Sequence, residues 1–150
     1  MREVYDAIAL EAEAQSPLWA AALLPAARRE PRPVFSPLAD ARLALGLETI
    51  YEGYLCHYGR PRLFAPRDEE TALLLGDYLY AHGLVRISDT GDVDAVAELA
   101  GLISLCARLR AEEEDGDGEA WASTAATLSS APVDDGAVER ALAAHRERVG

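Results

Sequence analysis

Apolar residues recur along most of the chain at the three- and four-residue intervals of a helix with one buried face. The pattern breaks only where Pro, Gly or acidic residues cluster, and these breaks predict about seven helical segments. A first amphipathic helix is expected over residues 2–14. Ser16-Pro17 then supplies an N-cap and a first-turn proline for a short helix through Ala27. ARREPRPVF reads as an extended linker, because a residue before proline is pushed out of the helical region. Ser36-Pro37 repeats the cap and opens a helix running to about Tyr58.

Beyond Arg60-Pro61-Arg62 and Pro66, the acids Asp68, Glu69 and Glu70 favour a helix N-terminus. The helix that follows, ETALLLGDYLYAHGLVRI, is apolar on most of its circumference and is expected to be central. After DTGD, Val96, Leu99, Ile103 and Cys106 recur at helix-face spacing, with Leu102, Leu105 and Leu109 widening the stripe. An acidic loop, EEEDGDGE, precedes two last helices near 119–131 and 134–148. There is no internal repeat. The expected fold is all-α, a single-domain helical bundle, with N-terminal helices over 1–30, a Pro-rich linker over 31–37 and a core over 38–150.

Composition agrees and excludes several chemistries. The chain has 150 residues, enough for one domain with a real core, and half of them are hydrophobic. Its net charge of −12 disfavours nucleic acid as a partner, since that requires a basic patch. Every basic side chain is arginine, so Schiff-base chemistry and lysine-based phosphate binding are excluded. Cys56 and Cys106 lie far apart in apolar helical patterns and read as buried free thiols. No apolar run reaches the ~18 residues that span a bilayer, and the N-terminus carries acids through its apolar positions, so a cytoplasmic protein is expected.

Few residues invite a catalytic reading. The acidic run from Glu112 to Glu119 lacks the alternating oxygen positions of a Ca²⁺ loop and reads as a solvated helix end. His57, His82 and His145 are too dispersed for a metal-binding helix face, and adjacent Cys56 and His57 point apart on a helix. No nucleophile elbow or glycine-rich phosphate loop occurs. Asp77, between Gly76 and Tyr78 in the most apolar helix, is expected to be buried and to accept hydrogen bonds from a helix end or an arginine, with a ligand role as the alternative.

GLETIYEGYLCHYGRPR resembles the core helix of the trans-prenyl diphosphate synthases, the all-α isoprenoid synthase family. That helix leads into the first aspartate-rich motif and then G-R-P. Glu48, Leu55 and His57 fall on family positions, Tyr58 and Gly59 stand where the two metal-binding aspartates belong, and Gly59-Arg60-Pro61 matches G-R-P. LLLGDYLYAHGLVRI is similar to the family's G-D helix through Gly76 and Asp77. STAATLSSA is similar to its K-T-A-x-L segment, with Ser123 in place of lysine and Thr124 retained, and ARREPRPVF echoes G-G-K-R-L-R-P without lysine. AVERALAAHRERVG resembles the helix entering the second aspartate-rich motif, and the sequence stops at Gly150 before that motif would begin.

The resemblance spans roughly residues 26–150. Prenyl transfer ionises an allylic diphosphate and needs Mg²⁺ held by carboxylates on facing helices. With Tyr58-Gly59 at the first motif, the expectation is a chain that is not an enzyme on its own, with no catalytic residue, metal or cofactor. Arg60, Arg62, Asp77 and Thr124 would keep residual anion or structural contacts. The resemblance implies a subunit that joins a catalytic prenyl synthase chain and helps shape its product-length cavity. The alternative is an adaptor or homo-oligomer on a decayed scaffold, binding protein partners or a hydrophobic ligand. In the first reading the partner surface is expected to use the helices Leu47–Tyr58 and Thr71–Arg86.

Overall fold

The helix predicted up to Tyr58 is the axis of the molecule. The computed structural model describes residues 1–149 and forms seven α-helices there, with no strands among the described residues. They are α1 (Arg2–Gln15), α2 (Pro17–Ala22), α3 (Ala44–Tyr58), α4 (Glu69–Asp89), α5 (Val93–Ala111), α6 (Asp117–Thr127) and α7 (Asp135–Val149). The fold is all-α, as the apolar periodicity requires.

Several boundaries follow local chemistry. Ser16 accepts from the Leu18 amide and Pro17 opens α2, while Asp68 and Asp92 accept from Thr71 and Ala95 at the starts of α4 and α5. Other boundaries moved. Helix α2 stops at Ala22, followed by a 3₁₀ turn over Ala26–Arg28. Ser36-Pro37 opens only a 3₁₀ turn, a second turn covers Ala41–Leu43, and α3 begins at Ala44. The Ser36 hydroxyl is not a cap: it donates to Glu48 at 3.1 Å inside the core. Within the Pro-rich segment, Val34 and Phe35 are buried with the main core.

Helix α3, not α4, is central. Every residue from Gly46 to Cys56 is buried, whereas α4 buries only Leu75, Gly76, Leu79, Gly83 and Ile87. Leu73, Leu74 and Val85 of α4 remain about half exposed at 53%, 49% and 53%. A run of apolar residues therefore did not mean burial on all sides: α4 packs on α3 and on the α1–α2 core and leaves Leu73, Leu74 and Val85 open. Leu105 of α5, expected in the core stripe, is likewise exposed at 36%.

The seam between α3 and α4 is built from glycines. Gly46 faces Gly83 and Gly53 faces Gly76, so the helices run antiparallel with two close approaches one heptad apart. A Cβ on Gly53 would lie 2.8 Å from the Gly76 carbonyl oxygen, so the backbones touch only because side chains are missing there. Ile50 fills the space beside Gly83, and Ile87 fills that beside Gly46.

On the other side of α3, Phe35, Tyr51, Tyr54 and Trp121 form a packed aromatic core with α5, α6 and α7. Tyr5, Ile8, Ala12, Trp19 and Ala22 of α1 and α2 form a second core with Leu63, Phe64, Leu75 and Leu79. Backbone bonds from Leu24 to Leu63 (2.9 Å) and from Ala65 to Ala22 (2.7 Å) fix these helices to the loop before α4. Glu11 of α1 further accepts from Arg86 and contacts His82 at 2.5 Å.

Candidate functional site

The residues matching the first metal motif lie at the C-terminal end of α3, where each is committed to packing. His57 is 8% exposed at its side chain, with Nε2 3.0 Å from the Leu73 carbonyl and 3.3 Å from Asp77 Oδ1. Its ring lies where a Gly76 side chain would begin, which explains that glycine. The Tyr58 ring packs against Tyr54 at 4.9 Å and beneath the Arg110 guanidinium at 5.2 Å, and burial raises its hydroxyl pKa. The Gly59 amide closes α3 on the Leu55 carbonyl at 2.9 Å. A Cβ there would lie 2.8 Å from the Arg148 carbonyl oxygen, so an aspartate at this position would displace the end of α7.

The arginines of the GRPR segment point different ways. Arg60 is exposed; it donates to Glu30 at 2.7 Å, while its amide donates to the Arg148 carbonyl at 2.9 Å. Glu30 also accepts from Arg148 at 2.8 Å, so this carboxylate ties the linker to the segment after α3 and to the end of α7. Arg62 is fully buried. It donates to Glu48 at 2.6 Å, to Glu52 at 3.0 Å, to Tyr5 at 3.1 Å and to the Arg32 carbonyl at 3.0 Å. Tyr5 and Ser36 complete the Glu48 oxygens, and the Arg62 and Leu63 amides complete those of Glu52. Burial disfavours the charged guanidinium, but Glu48 and Glu52 outweigh it and raise its pKa. Arg62 is thus enclosed by the fold's own carboxylates, with no part of its guanidinium facing solvent.

Asp77 corrects an expectation. Its side chain is 63% exposed and pairs with His57 of α3 from the outer edge of the seam. The helix that carries it is not buried on that side, so no desolvated carboxylate arises. Thr124 joins neither the His57 contacts nor the Arg62 cluster; it lines a shallow groove between α5 and α6.

A second polar cluster was not anticipated. Asp117, the first residue of α6, accepts from Tyr54, from Arg110 at 2.9 Å and from His145 at 3.0 Å. His145 Nδ1 lies 2.7 Å from the Tyr51 hydroxyl, so the imidazole bridges Tyr51 and Asp117. Burial raises the Asp117 pKa, but the bonds from His145 and Tyr54, with Coulombic attraction from His145 and Arg110, outweigh it and hold it well below the usual carboxylate range. The acidic run from Glu112 to Glu119 is thus solvated except at this one member. The only sequence signal was an acid at a helix start.

These arrangements have limited chemical reach. Burial pushes the Cys106 thiol up to about 12 and Cys56 well above its ordinary value, so neither is a ready nucleophile. Beside His57 lies a shallow cleft of about 290 Å³ lined by Cys56, Glu69, Ala72 and Leu73. No group of three or more His, Cys, Asp or Glu side chains suited to a metal ion occurs among the described residues. Nor is any helix among them long and apolar enough to cross a membrane. Neither a family model, nor a curated protein, nor a solved structure matches the chain.

Proposed function

We propose that the chain is a non-catalytic helical subunit. It docks through the outer face of α4 onto a complete prenyl diphosphate synthase chain of the family it resembles, and there influences product length. The observation that carries this reading is the fate of the lost-motif positions. His57, Tyr58 and Gly59 are locked into α4, Arg110 and the end of α7, and Arg62 is enclosed by two carboxylates. A site engaged in this way serves packing, and the property left for function is surface.

That surface is narrower than the sequence implied. Helix Leu47–Tyr58 has no free side to offer, because Leu47 to Cys56 are all buried. Helix Thr71–Arg86 does, with Leu73, Leu74 and Val85 exposed along it. A hydrophobic ligand inside the bundle is less well supported, since the rings of Phe35, Tyr51, Tyr54 and Trp121 occupy the space between the helices.

Co-expression with a complete prenyl synthase tests the proposal. A stable complex is expected, with a shifted product-chain distribution. Leu74→Glu with Val85→Glu, both on exposed positions, should abolish the complex and leave the fold intact. No complex, or one that neither substitution weakens, would sink it.

A further inference from the structure

Helix α5 contains a glycine that the fold does not use. Gly46, Gly53, Gly76 and Gly83 all stand where a Cβ would meet another atom at 2.8 Å or less. Gly101 lies inside α5, where glycine is a poor helix former, and a Cβ there meets nothing within 4 Å. Its φ is not positive either, so no turn demands it.

The surface around it is equally distinctive. Ala97, Glu98, Gly101, Leu102, Leu105 and Thr124 line a groove of about 300 Å³ between α5 and α6, with exposed Leu105 at its rim. From Ala95 to Ala107 the helix carries one charge, Glu98, although 27% of the chain is charged. Yet Ala97, Ala100, Ser104 and Ala107 in that stretch are exposed.

The face is complementary to itself. Gly101 and Leu105, one turn apart, are a hole and a knob. A two-fold axis midway between them sets two α5 helices antiparallel and brings each Leu105 over the other copy's Gly101. The same axis lies midway between Glu98 and Arg108, so it sets Glu98 of each copy across from the other's Arg108, which within its own helix already donates to Glu112 at 3.1 Å. Asp94 and Glu112 are the one like-charged pairing, at the exposed outer ends. The −12 net charge opposes association at long range, but screening within about 8 Å at physiological ionic strength confines that repulsion.

We infer that α5 is a self-association surface, on which two copies of this chain pair antiparallel with each Leu105 seated in the other's α5–α6 groove. This inference is independent of the docking face on α4.

Sedimentation equilibrium of the full chain at physiological salt tests it. The wild type is expected to form a reversible dimer. Gly101→Gln should raise the dissociation constant at least about tenfold. Because the position is open and glutamine is the better helix former, its melting temperature at low concentration should not fall. Glu98→Arg should also weaken the dimer, and adding Arg108→Glu should restore it. A wild type still monomeric at about 1 mM, a Gly101→Gln dimer of unchanged affinity, or a charge swap without restoration would each overturn the inference.

Discussion

Two buried polar clusters grip α3, and they differ in how closed they are. Around Arg62 the guanidinium is 0% exposed and its two carboxylates, Glu48 and Glu52, are 1% and 0% exposed. Around Asp117 the carboxylate is 19% exposed and Arg110 is 32% exposed, with the Tyr51–His145 pair reaching inward from it. The first cluster joins α3, α1 and the loop after Gly59; the second joins α3, α5, α6 and α7. A closed cluster has one workable charge state, because water cannot replace a missing partner. A half-open cluster can lose a member and be partly rehydrated. The first therefore sets whether the chain folds, and the second sets how firmly its C-terminal helices are held.

The sharpest way to break the comparison is Arg62→Ala. It leaves Glu48 and Glu52 buried without their cation, and removing one partner of a buried pair costs about 3–5 kcal/mol. A domain of this kind has roughly 5–15 kcal/mol in total, so the expected outcome is a chain that keeps a reduced margin of stability and unfolds at a clearly lower urea concentration by circular dichroism. Replacing all three by apolar residues of similar size, Glu48→Met, Glu52→Leu and Arg62→Met, should recover only part of the loss, because the Arg62 and Leu63 amides and the Tyr5 and Ser36 hydroxyls lose their acceptors. If the single variant unfolds no more easily than wild type in urea, the cluster is not the closed unit described here.

Asp117→Asn is the matching break at the open cluster, and a smaller loss is expected, about 1–3 kcal/mol. Its pH response has a definite sign. The folded carboxyl has a pKa below its ordinary 3.8, so the folded state favours the ionised form. The resulting stability is fully present above pH 3.8 and is lost as pH falls through the lower folded value. Urea midpoints measured from pH 6 downward should converge for wild type and Asp117→Asn below that window. A constant gap down to the lowest pH would contradict the assignment.

The sequence made the helices readable because caps and breaks are local. Ser16, Asp68 and Asp92 act within three residues of themselves. The glycine seam was also there to read: two glycines a heptad apart on each of two successive helices, in antiparallel register. The polar clusters were harder, since their members meet across 14, 28 or 63 residues. One trace was visible. Glu48 and Glu52 sit one turn apart in an otherwise apolar helix, and two acids on one buried face demand a cation from elsewhere. What misled was the average apolarity of α4, which reported its content and not which side faced the seam.

The smallest effect belongs to Asp77, and it sharpens the contrast by being a carboxylate outside both clusters. Its partner His57 is nearly buried, but the carboxylate itself is 63% exposed, and His57 Nε2 also has the Leu73 carbonyl at 3.0 Å. Removing the charge therefore strands nothing. An exposed pair of this kind contributes between about 0 and 1 kcal/mol, and Asp77→Asn can keep the contact as a neutral hydrogen bond. The expected change in unfolding free energy is within about 0.5 kcal/mol, measured by urea denaturation at neutral pH. A loss approaching that of Asp117→Asn would mean that α4 is covered on its outer side in solution, which gives this quiet substitution a second use. Repeated in the presence of a bound partner, it reports whether that face has been taken out of water.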